Sequence, residues 1–205
     1  MSKYYYHGVV NKKNNNDCEY SIDHLIPILL SEGIKSKRLL GIKENYGFNG
    51  LDYVCVCKKH KPLNKETKNY NAFSMYIDWK FSLIISDEID AIKTEYLSED
   101  YYLSKKIRDS HTKYSDLFDE YQVKDIIPIS KVIGITIPFE IVDIYIKHKD
   151  KKFLKKVKTL IELAKSLNLD IVDSSSYFFP YDYEFRKNIP IDNNIFVKNK
   201  LKKLI

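Results

Sequence analysis

The chain has 205 residues, 44% of them apolar and 30% charged. That length suits one domain with a real core, and the apolar share excludes disorder of the whole chain. Lys and Arg number 34 against 28 Asp and Glu, a net charge of +6, which favours an anionic partner such as a nucleic acid or a nucleotide without choosing between them.

Lys3 to Val10 reads as a first strand, aromatic and β-branched, interrupted by Gly8. A glycine inside a strand often marks close approach of a ligand or of another backbone. Asn11 to Glu19 is polar and reads as a loop. A helix then opens at Asp23 as N-cap, with Pro27 in or just past its first turn and Gly33 as the left-handed residue that ends it. Leu25, Ile26, Ile28, Leu29 and Leu30 give it a broad apolar face suited to a sheet. Ile34 to Gly50 carries a basic run (Lys35, Lys37, Arg38) and then the turn-rich Tyr46-Gly47-Phe48-Asn49-Gly50. Leu51 to Cys57 reads as a second strand, Lys58 to Lys68 as a basic loop, Asn69 to Trp79 as a short helix and Phe81 to Ile85 as an apolar strand. Asp87 to Thr112 is polar, with helical spacing from Glu99 to Asp109 and loop character elsewhere.

Glu120 to Ile126 reads as a strand with two distinct faces. Tyr121 and Val123 point one way; Glu120, Gln122 and Lys124 point the other. Three polar groups in a row ordinarily mean a solvated face. The sharper alternative is that the Glu120 carboxylate lines a cleft and acts on a ligand. Ile133 to Ile137 is a further strand ended by Pro138, followed by helices over Phe139 to Lys147 and Phe153 to Leu167. In the second helix Phe153, Leu154, Val157, Leu160, Ile161, Ala164 and Leu167 keep helical spacing, with lysines opposite. Asp170 to Asp173 reads as a late strand before an aromatic tail. Strands outnumber helices in the first two-thirds and do not alternate with them, which argues for α+β with antiparallel sheets.

The three cysteines, Cys18, Cys55 and Cys57, lack metal-ligand spacing. Cys55 and Cys57 lie two apart on one strand, so they share a face and do not readily bridge; reduced thiols of a cytoplasmic protein are expected. No apolar run is long enough to span a bilayer and the N-terminus is polar, so neither a membrane partner nor a secretion leader is expected. P-loop, dinucleotide-fold glycine, nucleophile-elbow and zinc-protease signatures are absent. His24, His60, His111 and His148 read as surface residues. The lysine clusters 149–158 and 198–203 read first as solubilising charge.

Tyr6-His7-Gly8 followed by Leu25, Ile28, Leu29, Gly33 and Ile34 resembles the opening of the ADP-ribosyltransferase fold. Glu120-Tyr121-Gln122-Val123 is similar to the catalytic strand of the His-Tyr-Glu type of that family, which commonly reads Glu-Tyr-x-Val. Gly50 to Val54 looks like the family's middle strand, and Lys68 to Ala72 resembles the start of its next helix. The resemblance spans residues 3–138. It implies a split antiparallel β-sandwich with flanking helices as a catalytic domain over residues 1–138, and leaves residues 139–205 as a C-terminal helical extension packed on the same domain.

The resemblance also implies chemistry. His7 would hydrogen-bond a ribose hydroxyl of NAD, the co-substrate, while the Gly8 backbone would pair with the nicotinamide carboxamide. Tyr53 or Tyr70 would stack on the nicotinamide ring, and Glu120 would be the catalytic carboxylate. No resident metal is implied. Cys55 and Cys57 stand where the family's middle strand has a glycine-aromatic pattern, and the Lys58 to Lys68 loop displaces the stacking tyrosine. The implied activity is mono-ADP-ribosyl transfer to a nucleic acid or protein, as in a toxin or defence effector. Rival readings are NAD hydrolysis or 2′-phosphotransfer on the same fold, and a non-catalytic basic binding module that uses the lysine-rich helix 153–167.

Overall fold

A strand needs a partner on each side to satisfy its backbone, and β1 (Tyr4–Gly8) has both. It lies between β3 (Tyr53–Cys57) and β4 (Ser82–Ser86) in a computed structural model that describes residues 4–8, 18–43, 51–57, 81–94 and 120–173. The remaining strands are β2 (Gly33–Lys35), β5 (Ala91–Lys93), β6 (Glu120–Lys124), β7 (Ile126–Pro128), β8 (Val132–Ile137) and β9 (Asp170–Asp173). The helices among the described residues are α1 (Cys18–Leu29), α2 (Phe139–Lys147) and α3 (Lys151–Ser166), with a 3-10 turn over Ile129–Lys131.

Among the described residues seven strands form one sheet in the order β5-β6-β3-β1-β4-β8-β9, and β2 pairs with β7 in a separate ribbon. Every pair in the large sheet is antiparallel except β8 with β9. Parallel neighbours need a long crossover, and α2 and α3 supply it. The expected α+β class with antiparallel strands is what the described residues show. The strand over Asp170–Asp173 forms where expected and belongs to the same sheet as β1.

One face of that sheet carries the core. Tyr5, Val54, Val56, Leu83, Ile85, Val123, Ile135 and Ile137 meet Ile22, Leu25 and Leu29 of α1 and Phe153, Val157, Leu160, Ile161 and Ala164 of α3. Phe153 is fully buried and stacks on Tyr145 of α2 at 3.8 Å between centroids. Burial of such a ring stabilises by roughly 1.5–3 kcal/mol. Residues 139–173 therefore share one core with the strands before them.

Two expected elements differ in detail. The first helix begins at Cys18, upstream of the expected start, and Asp23 lies exposed within it instead of capping it. The reason is visible in spacing: Cys18, Ile22, Leu25 and Leu29 are all buried at helical intervals, so the apolar stripe extends back into the segment that reads as a polar loop. Pro27 sits inside the helix, which continues past it through the Leu30 N–H to the Ile26 carbonyl at 3.1 Å. Gly33 does not terminate the helix; it opens β2, at φ 156°. A β-carbon there would lie 2.1 Å from the Ile127 carbonyl oxygen, so only glycine lets β2 and β7 pair.

The second difference is that Glu120 to Ile126 is not one strand. Asp125 adopts φ 61°, ends β6 and sends β7 into the other ribbon. Its N–H bonds the Asp52 carbonyl and its own carbonyl accepts from Ser36 N–H, each at 2.7 Å, which holds the turn. No helix among the described residues is long and apolar enough to cross a membrane.

Candidate active site

Register decides which side chains can meet. Tyr6 lies opposite Cys57, and Cys57 lies opposite Glu120, so these three form a row across β1, β3 and β6 on one face of the sheet. Cys55 pairs with Gln122 in the next row and Tyr53 with Lys124 beyond it. Alternation puts Gly8 on this face as well. Tyr5, opposite Ile85, and His7, opposite Leu83, point the other way into the core face, where Tyr5 meets Tyr121 edge-on at 5.2 Å.

Of the residues singled out in the sequence, Gly8, Tyr53 and Glu120 thus share a face, and His7 is on the opposite one. The imidazole and the carboxylate do not meet across a groove. The half-buried His7 ring instead hydrogen-bonds the Cys55 carbonyl through Nδ1 at 2.9 Å. A carbonyl can only accept, so Nδ1 carries the proton. Burial holds the imidazole below its usual pKa, partly offset by that bond, and the ring is neutral at physiological pH. Its effect is to tie β1 to β3 beside the Tyr6–Cys57 pair. Tyr53 is half-buried. Tyr70 and the helix expected over Asn69 to Trp79 lie outside the described residues, as do His60 and His111; His24 and His148 are exposed, as expected.

Glu120 is not on a solvated face. It is 2% exposed, and Gln122 on the same side is fully buried. Its Oε1 accepts from Gln122 Nε2 at 2.9 Å and from the Thr94 hydroxyl at 3.1 Å, Thr94 being the buried residue that follows β5. Gln122 lies two positions along the same strand and Thr94 directly follows β5, which pairs with β6, so register brings both donors to the carboxylate. Among the described residues the Gln122 Oε1 atom has no hydrogen-bond partner.

The carboxylate also meets the cysteines. The two thiol sulfurs of Cys55 and Cys57 and a Glu120 carboxylate oxygen lie within 4.8 Å of one another. The hydrogen bond to Cys57, burial and the nearby Glu120 charge push the Cys55 thiol well above its usual range. None of the three cysteines is in a disulfide, and Cys55 and Cys57 share a face without bridging, as their spacing predicts. The grouping of two thiols with Glu120 is what linear spacing missed. The third group arrives from β6, and only the combination of alternation with strand register could have placed it there.

A carboxylate so held, beside thiols and away from bulk water, is suited to stabilising positive charge that develops on a bound group. Comparison with known proteins returns no match: no family model, no curated protein and no solved structure aligns with the chain.

Proposed function

We propose that the chain is an NAD-dependent mono-ADP-ribosyltransferase acting on a nucleic acid or protein, with Glu120 as its catalytic carboxylate, in a split antiparallel β-sandwich of the ADP-ribosyltransferase kind. The observation that carries this reading is the geometry of Glu120: a buried carboxylate on an inner strand, oriented by Gln122 and Thr94, on the face that also carries Gly8 and Tyr53. In the reaction the C–N bond between ribose and nicotinamide breaks, and neutral nicotinamide leaves with the electron pair. The cationic ribose is captured by an acceptor nitrogen or oxygen, which then loses its proton. Glu120 lowers the barrier by facing that cation with a negative charge already in place.

Gly8 contributes backbone that no side chain of its own shields from a ligand, and Tyr53 a flat ring with a polar tip. His7 acts through the strand: its bond to the Cys55 carbonyl holds β1 and β3 together where Gly8 must be presented. The net charge of +6 suits both the dinucleotide and an acidic acceptor.

The test is transfer of label from NAD labelled in its adenylate half to components of a cell lysate, wild type against Glu120→Gln. Transfer by the wild type that falls at least a hundredfold in the variant supports the reading. Equal transfer by both proteins ends it, and nicotinamide release without labelled acceptor replaces transfer by NAD hydrolysis.

A further inference from the structure

The residues around Glu120 carry a second chemistry. Cys55, Cys57 and Glu120 present two sulfurs and an oxygen within 4.8 Å, on two adjacent strands whose register fixes their relation. Thiolate plus carboxylate is a donor set for zinc and similar borderline-soft divalent ions. A tetrahedral ion bound at ordinary zinc–sulfur and zinc–oxygen lengths would hold its ligand atoms roughly 3.3–3.8 Å apart, so the three side chains need close in by only about 1 Å.

Gln122 belongs to the same site: it is fully buried, sits directly opposite Cys55 in the β3–β6 pair, and its amide oxygen has no hydrogen-bond partner among the described residues. A buried acceptor with no donor costs on the order of 1–3 kcal/mol. A cation beside Glu120 would relieve it by taking that oxygen as a fourth ligand. The Thr94 hydroxyl and Gln122 Nε2 already hold Glu120 Oε1, so the carboxylate arrives oriented, as ligating carboxylates generally are.

We infer that Cys55, Cys57 and Glu120 form a site for one zinc-like divalent cation, with the Gln122 amide oxygen able to complete a tetrahedron. Binding converts both thiols to thiolates and releases two protons to solvent; no electrons move. Two thiolates, one carboxylate and a dipositive ion leave a single net negative charge. Because the ion would occupy Glu120, the loaded protein cannot also use that carboxylate on NAD. This consequence rests on the transferase reading, and makes the metal an inhibitor of it.

The experiment separates the two. Protein prepared with a thiol reductant and stripped by chelator is titrated with cobalt(II), which reports thiolate ligation through a sulfur-to-metal charge-transfer band, in the absence of NAD. One equivalent of cobalt producing that band, displaced by one equivalent of zinc and lost in Cys55→Ser and in Cys57→Ser, supports the site. No band in the wild type, or a band that survives both substitutions, overturns it. Circular dichroism of each variant verifies folding, and Cys55→Ser, at a half-buried position, serves where the fully buried Cys57 does not tolerate change. NAD cleavage is then measured in chelator and in excess zinc. Loss of at least 90% of turnover in zinc, restored by chelator and absent in Cys55→Ser, supports inhibition, and unchanged turnover with the band present overturns it. No cleavage even in chelator counts against the transferase reading and leaves the metal site standing.

Discussion

Gln122 donates its amide to Glu120 Oε1 over 2.9 Å from two positions further along the same strand. Pleating places both side chains on one face, so the interaction is built into β6 and costs little ordering beyond forming the strand. If Glu120 works by charge, Gln122 works by holding that charge still. Gln122→Leu should lower kcat for NAD cleavage about tenfold, ~1.4 kcal/mol, while KM for NAD stays within about twofold. Glu120→Gln should lower kcat by roughly 10²–10³. A purely structural Gln122 would shift stability and leave that split between kcat and KM unseen.

Gly33 and Gly41 make a matched pair of substitutions. Both have positive φ, at 156° and 74°. An alanine β-carbon at Gly33 meets the Ile127 carbonyl oxygen at 2.1 Å, whereas at Gly41 none of the described residues lies within 4 Å. Gly33→Ala must therefore part β2 from β7 and should cost about 3 kcal/mol or more, from overpacking and strain together. Gly41→Ala should cost only about 1 kcal/mol, the left-handed penalty alone. Urea unfolding of both variants tests the contrast, and equal losses would show that the β2–β7 approach is not rigid.

His7 gives a pH signature. Its folded pKa is lowered by burial, so below the unfolded value near 6.5 the unfolded chain takes up a proton that the folded one resists. Stability should fall as the pH drops below about 6.5, by at most ~1.4 kcal/mol per pH unit, and be insensitive to His7 above it. His7→Asn keeps a donor for the Cys55 carbonyl and removes the titration. The wild-type minus variant difference, measured by denaturant at pH 5, 6 and 7.5, should slope in the acid range and flatten above. A flat difference throughout would mean that the ring is solvated.

Most of the sheet was legible because its signals are local. β4, β8, α2 and α3 fall where apolar runs and periodicity put them, within a residue or two. What escaped the sequence has non-local causes. Asp125 breaks a run that alternates as one strand would, because its backbone is claimed by Ser36 and Asp52. The buried Glu120 and Gln122 read as a wet face because what covers them comes from β3 and from Thr94, beyond their own strand. Alternation alone separates His7 from Gly8, yet which of them shares a face with Glu120 depends on a register that no single strand contains.

Lys156 answers a question about the basic surface. Its ammonium bonds Glu19 at 2.9 Å and Asp23 at 2.7 Å, joining α3 to α1, and both bonds hold its pKa above the ordinary value. Lys152 reaches the same Glu19 at 3.3 Å. These two lysines are spent on the protein itself, while Lys151 and Lys155 face solvent on the same helix. Lys156→Met should cost about 0.5–1 kcal/mol at low salt, less at 1 M salt where screening is nearly complete. It should leave the salt dependence of any nucleic-acid binding unchanged. Replacing Lys151 and Lys155 by Gln should do the reverse, sparing stability and reducing the slope of log K against log salt by up to about 2. Should Lys156→Met flatten that slope instead, the α1–α3 ion pairs open on binding and the helix is itself the contact surface.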